Sequence, residues 1–177
     1  NPRWQMDAIT TATPLGILKE KLPYQLPTYG DLFIGNRGGC IGEVCVVVLL
    51  LGGIYLSIKK YISWQIPVSF ILTLGLFSWI FSSQGLFKGN FLFSILSGGV
   101  ILGAFFMATD YVTAPLTKKG KIVFSVGCGI LTFVIRKWGG YPEGVSYAIL
   151  MMNAAAPIID RFARPKKYGW QKKAEKK

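Results

Sequence analysis

Five long apolar segments, at approximately 41–58, 66–83, 91–109, 121–137 and 143–160, dominate the chain after its first quarter. Wound as helix, each is about long enough to cross a hydrocarbon layer of roughly 30 Å. Backbone groups in lipid have no water to bond to, so helices that satisfy them internally are the economical solution. The connections are short, which predicts antiparallel neighbours. Pro67 and Pro142 stand at segment starts, where a missing N–H costs little. The expected fold is therefore an all-α membrane protein. A polytopic bundle of about five transmembrane helices occupies 40–162, a polar loop rich in Pro and Gly precedes it over 1–39, and a basic tail follows over 163–177.

Composition supports the bundle. The chain is 51% hydrophobic and 16% charged, with a mean hydropathy of +0.43, which excludes disorder and weighs against an ordinary soluble domain. A net charge of +12 without histidine suits nucleic acid in principle. Here, however, the basic residues fall between apolar runs and in the tail, not on one amphipathic face, so no nucleic-acid partner is expected. Lys59, Lys60, Lys118, Lys119, Lys121 and the tail from Arg161 onward lie on one side of the bundle. The front loop, Lys88, Arg136 and Lys137 lie on the other, with fewer basic residues. The excess of Lys and Arg on cytoplasmic loops then places the C-terminus in the cytoplasm and the front loop outside. Three cysteines cannot all pair, and without histidine a zinc site is not expected. Cys40 and Cys45 do not have an iron–sulfur spacing, and Cys128 reads as a small buried hydrophobe.

The polar stretch Asp7-Ala8-Ile9-Thr10-Thr11-Ala12-Thr13-Pro14-Leu15 is the natural place for chemistry on the water side. An ester or phosphoester to protein needs a reachable hydroxyl. Ala12 keeps the approach to Thr13 open, and Pro14 biases Thr13 toward an extended, outward-presenting backbone. Asp7 can orient a divalent cation or the hydroxyl during a transfer. The same residues also read as an N-cap at Thr13, a first-turn proline and a short helix over Leu15 to Glu20.

The pattern Asp-x-x-Thr-x-Ala-Thr, formed by Asp7, Thr10, Ala12 and Thr13, resembles the flavinylation motif of the RnfD/NqrB family of membrane flavoprotein subunits. Thr11 stands where glycine is usual. Two further stretches carry the likeness. One is Ala108-Thr109-Asp110-Tyr111-Val112-Thr113, with Tyr111 in place of the usual proline. The other joins Arg136-Lys137-Trp138-Gly139-Gly140-Tyr141-Pro142-Glu143-Gly144 to Met152-Asn153-Ala154-Ala155-Ala156-Pro157 and, with Arg164-Pro165 in the tail, leans toward RnfD. The resemblance implies the second half of a longer subunit, in keeping with a start at Asn1-Pro2-Arg3-Trp4. It implies FMN linked through its phosphate to Thr13, outside a bacterial or archaeal cell membrane. It also implies a non-covalent riboflavin whose residues are not assigned here. The implied partners are the other Rnf subunits, especially a second covalent-FMN subunit and membrane subunits. The implied work is ferredoxin:NAD+ oxidoreduction coupled to Na+ or H+ translocation. Residues matching Asp110 and Asp160 are associated in the family with cation uptake.

Read from the residues alone, Asp110 and Asp160 end the third and fifth segments. There they either serve a cation path, with hydroxyls from Thr109 and Thr113 nearby, or pair at the interface with Lys118 or Arg161. Gly99 and Gly103 make a G-x-x-x-G pair, and Gly127 and Gly129 flank Cys128. Both read first as close helix packing, and second as a flat wall for a flavin ring. Glu43 reads as compensation of a helix dipole rather than ion binding. No dinucleotide fingerprint opens a helix after a strand, so nicotinamide chemistry belongs elsewhere. The rival readings are an NqrB-type subunit with a quinone acceptor and a secondary transporter or membrane scaffold without redox chemistry.

Overall fold

The computed structural model describes residues 13–20, 27–35, 39, 42–82, 85–87, 89–141 and 143–163. Helix dominates them. The front loop contributes two short helices, α1 (Pro14–Glu20) and α2 (Tyr29–Ile34), the second ending on the apolar run Leu32-Phe33-Ile34 where no helix was expected. The backbone after α2 turns left-handed at Gly35, where φ is 97°. Then come α3 (Val46–Ile58) and α4 (Gln65–Ile80), the latter with Pro67 in its first turn. A two-residue hairpin, β1 (Phe81–Ser82) against β2 (Gly85–Leu86), follows α4.

The expected third span is not one helix. It is divided into α5 (Phe91–Leu96), a single turn α6 (Val100–Leu102) and a π-helical turn, Gly103–Met107. Ser97 is extended and Gly98 left-handed, with φ at 68°, so the chain breaks between α5 and α6. The chain closes with the long helices α7 (Lys118–Trp138) and α8 (Val145–Ala163). Among the described residues no helix is long and apolar enough to cross a membrane. The reasons differ by helix. α3 and α4 are short, α7 carries lysines in its first turn and Arg136 and Lys137 in its last, and α8 includes Asn153, Pro157, Asp160 and Arg161.

Two apolar clusters hold the helices together. The larger joins Phe70 and Leu74 of α4, Val100 and Ala104 of the broken segment, Phe124 and Cys128 of α7, and Ile149 of α8. The smaller joins Leu32 of α2 and Val46 of α3 to Phe93, Leu96 and Ile101, with Leu15 of α1 against it. The small residues serve this packing. A Cβ at Gly103 would collide with Val145, and one at Gly127 with Met152. At Gly129 it would lie 2.8 Å from Thr73 Cβ and 3.1 Å from the Phe70 carbonyl. The outer faces are also apolar: Val48, Leu51, Ile54 and Ile58 of α3, Leu72 and Leu76 of α4, and Leu150 and Ile158 of α8 are all exposed.

The Gly129 contact has a measurable consequence. Thr73 Cβ and the Phe70 carbonyl belong to the body of α4 and cannot swing aside. Gly129→Ala is expected to destabilise the protein by about 1–3 kcal/mol through overpacking, read as a lower thermal midpoint.

Candidate functional site

The break in the third segment leaves carbonyls at the end of α5 without helical partners, a situation that apolar surroundings do not tolerate. Arg136, in the last turn of α7, answers it. Its Nη1 donates to the Ser94 carbonyl at 2.7 Å and its Nη2 to the Ser97 carbonyl at 3.1 Å. The planar fork of a guanidinium suits two carbonyls at a fixed separation, which a lysine would match poorly. Two carboxylates, Glu143 and Glu43, act on the same guanidinium electrostatically. Glu43 is only 7% exposed, and a Cβ at Gly99 would lie 2.7 Å from its Oε2. The Ser97 side chain is fully buried, and its Oγ makes no hydrogen bond.

This charged knot is also where the front segment docks. A Cβ at Gly98 would stand 2.9 Å from Arg136 Nη2 and 2.9 Å from Leu15 Cδ1, so the left-handed glycine gives α1 its seat. At the other end of α1, Lys19 Nζ donates to the carbonyls of Gly139 and Tyr141, the second at 2.9 Å. Thr13 begins α1 as its cap. Its Oγ1 accepts the Gly16 N–H at 3.2 Å, and its carbonyl accepts the Ile17 N–H at 2.9 Å. The capping geometry expected at Thr13 is thus present, with Pro14 in the first turn. Thr13 is partly buried while Pro14 and Gly16 are buried. In this bond its oxygen is the acceptor, so the hydroxyl proton is not committed to it. Asp7, Thr10 and Ala12 lie outside the described residues.

Asp110 and Asp160 occupy the opposite end, about 20 Å or more away along α7 by helical rise. The Asp110 Oδ2 accepts the Thr113 hydroxyl at 3.1 Å. Thr109 turns away and donates to the Phe105 carbonyl at 2.6 Å. The Asp160 carboxylate accepts the Leu116 N–H, at 3.1 Å to Oδ1, so a main-chain group fills the role expected of Lys118 or Arg161. The structure therefore joins the two acids to one turn, 110–116, rather than to a shared ligand set. Among the described residues no cluster of three or more His, Cys, Asp or Glu side chains could hold a metal ion.

Sequence reasoning missed the knot. Glu43 was expected to compensate a helix dipole and is instead buried against the break. Arg136 entered as a loop charge and as the first residue of a family signature, not as the partner of a broken segment. Its signal was available as an arginine inside an apolar segment, but its partners lie 42 and 39 residues away.

Removing the guanidinium leaves two carbonyls and two carboxylates without their cation. Arg136→Gln is expected to cost about 3–5 kcal/mol, the range for breaking a buried charge pair. Adding Glu43→Gln is expected to recover part of that loss in a double-mutant cycle read by chemical denaturation.

Comparison with known proteins shows which sequences the chain resembles. The chain is 52% identical over 173 residues to the D subunit of the proton-translocating ferredoxin:NAD(+) oxidoreductase complex of Clostridium ljungdahlii, covering 93% of this chain and 52% of that protein. It is 48% identical over 165 residues to the D subunit of the Na(+)-translocating ferredoxin:NAD(+) oxidoreductase complex of Acetobacterium woodii, covering 92% and 50%. Against the D subunit of the ion-translocating oxidoreductase complex of Stutzerimonas stutzeri the identity is 45% over 173 residues, covering 92% and 49%. The chain thus spans about half the length of the curated relatives it matches. The family model described as NQR2, RnfD, RnfE matches residues 2–169, and the chain belongs to that family.

Proposed function

We propose that this chain is the flavin-bearing half of an RnfD-type subunit in an ion-translocating ferredoxin:NAD+ oxidoreductase complex of a bacterial or archaeal cell membrane. FMN is joined through its phosphate to Thr13, and electron flow is coupled to movement of Na+ or H+. The observation that carries the reading is likeness over more than nine-tenths of the chain to proteins named as that subunit. Asp7, Thr10, Ala12 and Thr13 add the attachment pattern.

The residues around Thr13 fit such a group. A phosphoester replaces the hydroxyl proton and leaves Oγ1 an oxygen that can still face the Gly16 N–H. Thr13 is not fully buried, which leaves a transferase a route to it, while Leu15 and Lys19 hold the carrier segment at two points. When bound, flavin supplies an electron acceptor that works in one- or two-electron steps, and the protein sets its position and potential. What this chain adds is placement: α1 fixes the carrier on the broken segment, and the Arg136 knot fixes that segment. Riboflavin, which the family implies, has no assigned residues here. The partners are the other members of the complex, including a second covalent-FMN subunit.

Membrane placement draws on two features. Exposed aliphatic residues on α3, α4 and α8 need an apolar surround larger than a lone soluble monomer tolerates. Lys59, Lys60, Lys118, Lys119, Lys121 and Arg161 collect at the end opposite Thr13, which under the positive-inside rule supports the reading of Thr13 as outside. Asp110 and Asp160 lie at the inner end, on the proposed cation path.

A second reading, an NqrB-type subunit passing electrons to quinone, is favoured by the family description, which names NQR2 beside RnfD. Co-purifying ferredoxin-type subunits support the first reading, and a quinone-reducing assembly supports the second.

The deciding measurement is in-gel flavin fluorescence of denatured protein, with wild type and Thr13→Ala each co-expressed with the flavin transferase. Fluorescence in wild type and none in the variant is expected. Fluorescence in both moves the attachment to Thr10 or Thr11. None in either returns Thr13 to a helix cap and favours the transporter or scaffold reading. Asp160→Asn, which keeps an acceptor for the Leu116 N–H, is expected to retain flavin while ion-dependent turnover falls.

A further inference from the structure

At the end opposite Thr13 a cavity of about 240 Å³ opens between the α3–α4 connection and the turn beyond the π-helix. Its polar wall includes Lys60, Ser63, Thr109, Asp110 and Lys121. Three observations there point to a ligand.

The first is backbone conformation. Lys60 has φ at 60°, the left-handed region that non-glycine residues seldom enter. It is held there by its own N–H bond to the Ser57 carbonyl at 3.1 Å and by the Tyr61 N–H bond to the Leu56 carbonyl at 3.0 Å. Glycine would adopt this turn freely. A lysine held in such a conformation at the wall of a cavity is the kind of local strain that collects at binding sites.

The second is charge. The first turn of α7 carries Lys118, Lys119 and Lys121 with no acidic residue. Cations at the positive end of a helix dipole are repelled by it, and Lys60 lines the same space as Lys121. Lys121 Nζ is tethered to the cavity wall by a bond to Ser63 Oγ at 2.7 Å. The opposing acids are Asp110, engaged by the Thr113 hydroxyl, and Asp160, engaged by the Leu116 N–H. The local excess is positive, and an external anion relieves it.

The third is the rim. Tyr61 and Trp64 are exposed on one lip, and Tyr111, Val112 and Leu116 on the other, the last three by 85% or more. A free anion gains nothing from aliphatic and aromatic side chains. A lipid does, and amphipathic aromatics mark the level of headgroups.

We propose that this cavity binds the phosphate of an anionic phospholipid between Lys60 and Lys121, with the acyl chains lying along the apolar rim. Basic pockets between helices on the cytoplasmic side recognise such headgroups. The inference rests on the membrane placement above and is independent of the flavin on Thr13.

The test uses the full-length protein purified from membranes and placed in phosphatidylcholine nanodiscs with or without phosphatidylglycerol. Bound lipid is counted by native mass spectrometry. Wild type is expected to retain phosphatidylglycerol in preference to phosphatidylcholine. Lys60→Gly fits the left-handed turn, so its thermal midpoint is expected to hold or rise while phosphatidylglycerol retention falls about fivefold, the worth of one basic residue near an anionic surface. Lys60→Arg is expected to keep the preference. Equal retention by wild type and Lys60→Gly overturns the proposal. Displacement of the lipid by millimolar inorganic phosphate overturns the lipid source and leaves a phosphate site. Failure of the full-length protein to enter nanodiscs overturns the membrane placement itself, whereas entry without lipid preference overturns only this inference.

Discussion

The two hydrogen bonds from Arg136 to the Ser94 and Ser97 carbonyls are the contact on which the upper half of the molecule depends. A helix that stops inside an apolar body must find donors for its last carbonyls or not stop there at all. Here the donors come from the end of a different, uninterrupted helix. That choice fixes the left-handed turn at Gly98, and Gly98 seats Leu15 and so the helix that begins at Thr13. Glu43 and Glu143 balance the cation from the chain entering α3 and the chain entering α8. One guanidinium therefore ties together four pieces of chain that are distant in sequence.

Beneath this knot, α7 is a spacer. Its packing against α4 and α8 is made tight by Gly127 and Gly129, so the two ends of the molecule keep a constant separation. The redox carrier proposed at Thr13 stands at one end, and the acids proposed for cation passage stand at the other. Coupling between them requires an element with two arrangements whose balance both ends bias. The segment from Ser97 to Met107, broken at one point and irregularly wound at another, runs between those ends and is the natural candidate.

Much of this was legible in the sequence, and the gaps have a common cause. Apolar runs, two of them with a proline at the start, located α3, α4, α7 and α8 to within about five residues, because run length and end signals are local. The cap at Thr13 was legible for the same reason: hydroxyl, proline and helix-forming residues stand side by side. The break at Ser97–Gly99 was not. Small residues there read as a packing stripe, and what makes them a break is an arginine nearly forty positions later. The burial of Glu43 was hidden likewise, since only the fold brings it to Gly99. Asp110 and Asp160 stood out in the sequence as rare acids near segment ends. Their actual partners, a threonine hydroxyl and a backbone amide, are supplied by a turn that residue type alone does not announce.

The π-helical turn carries a consequence of phase. The Ala108 N–H reaches back five residues to the Gly103 carbonyl at 2.7 Å, so the winding holds one residue more than a regular helix would place there. Since each residue of an α-helix advances the azimuth by about 100°, that extra residue turns everything after it by more than a quarter revolution. Thr109 and Asp110 owe their bearing toward the end opposite Thr13 to this offset and not only to their own side chains. A lineage that lost a single residue between Gly103 and Met107 would keep every motif in the segment and still point its aspartate at a different neighbour.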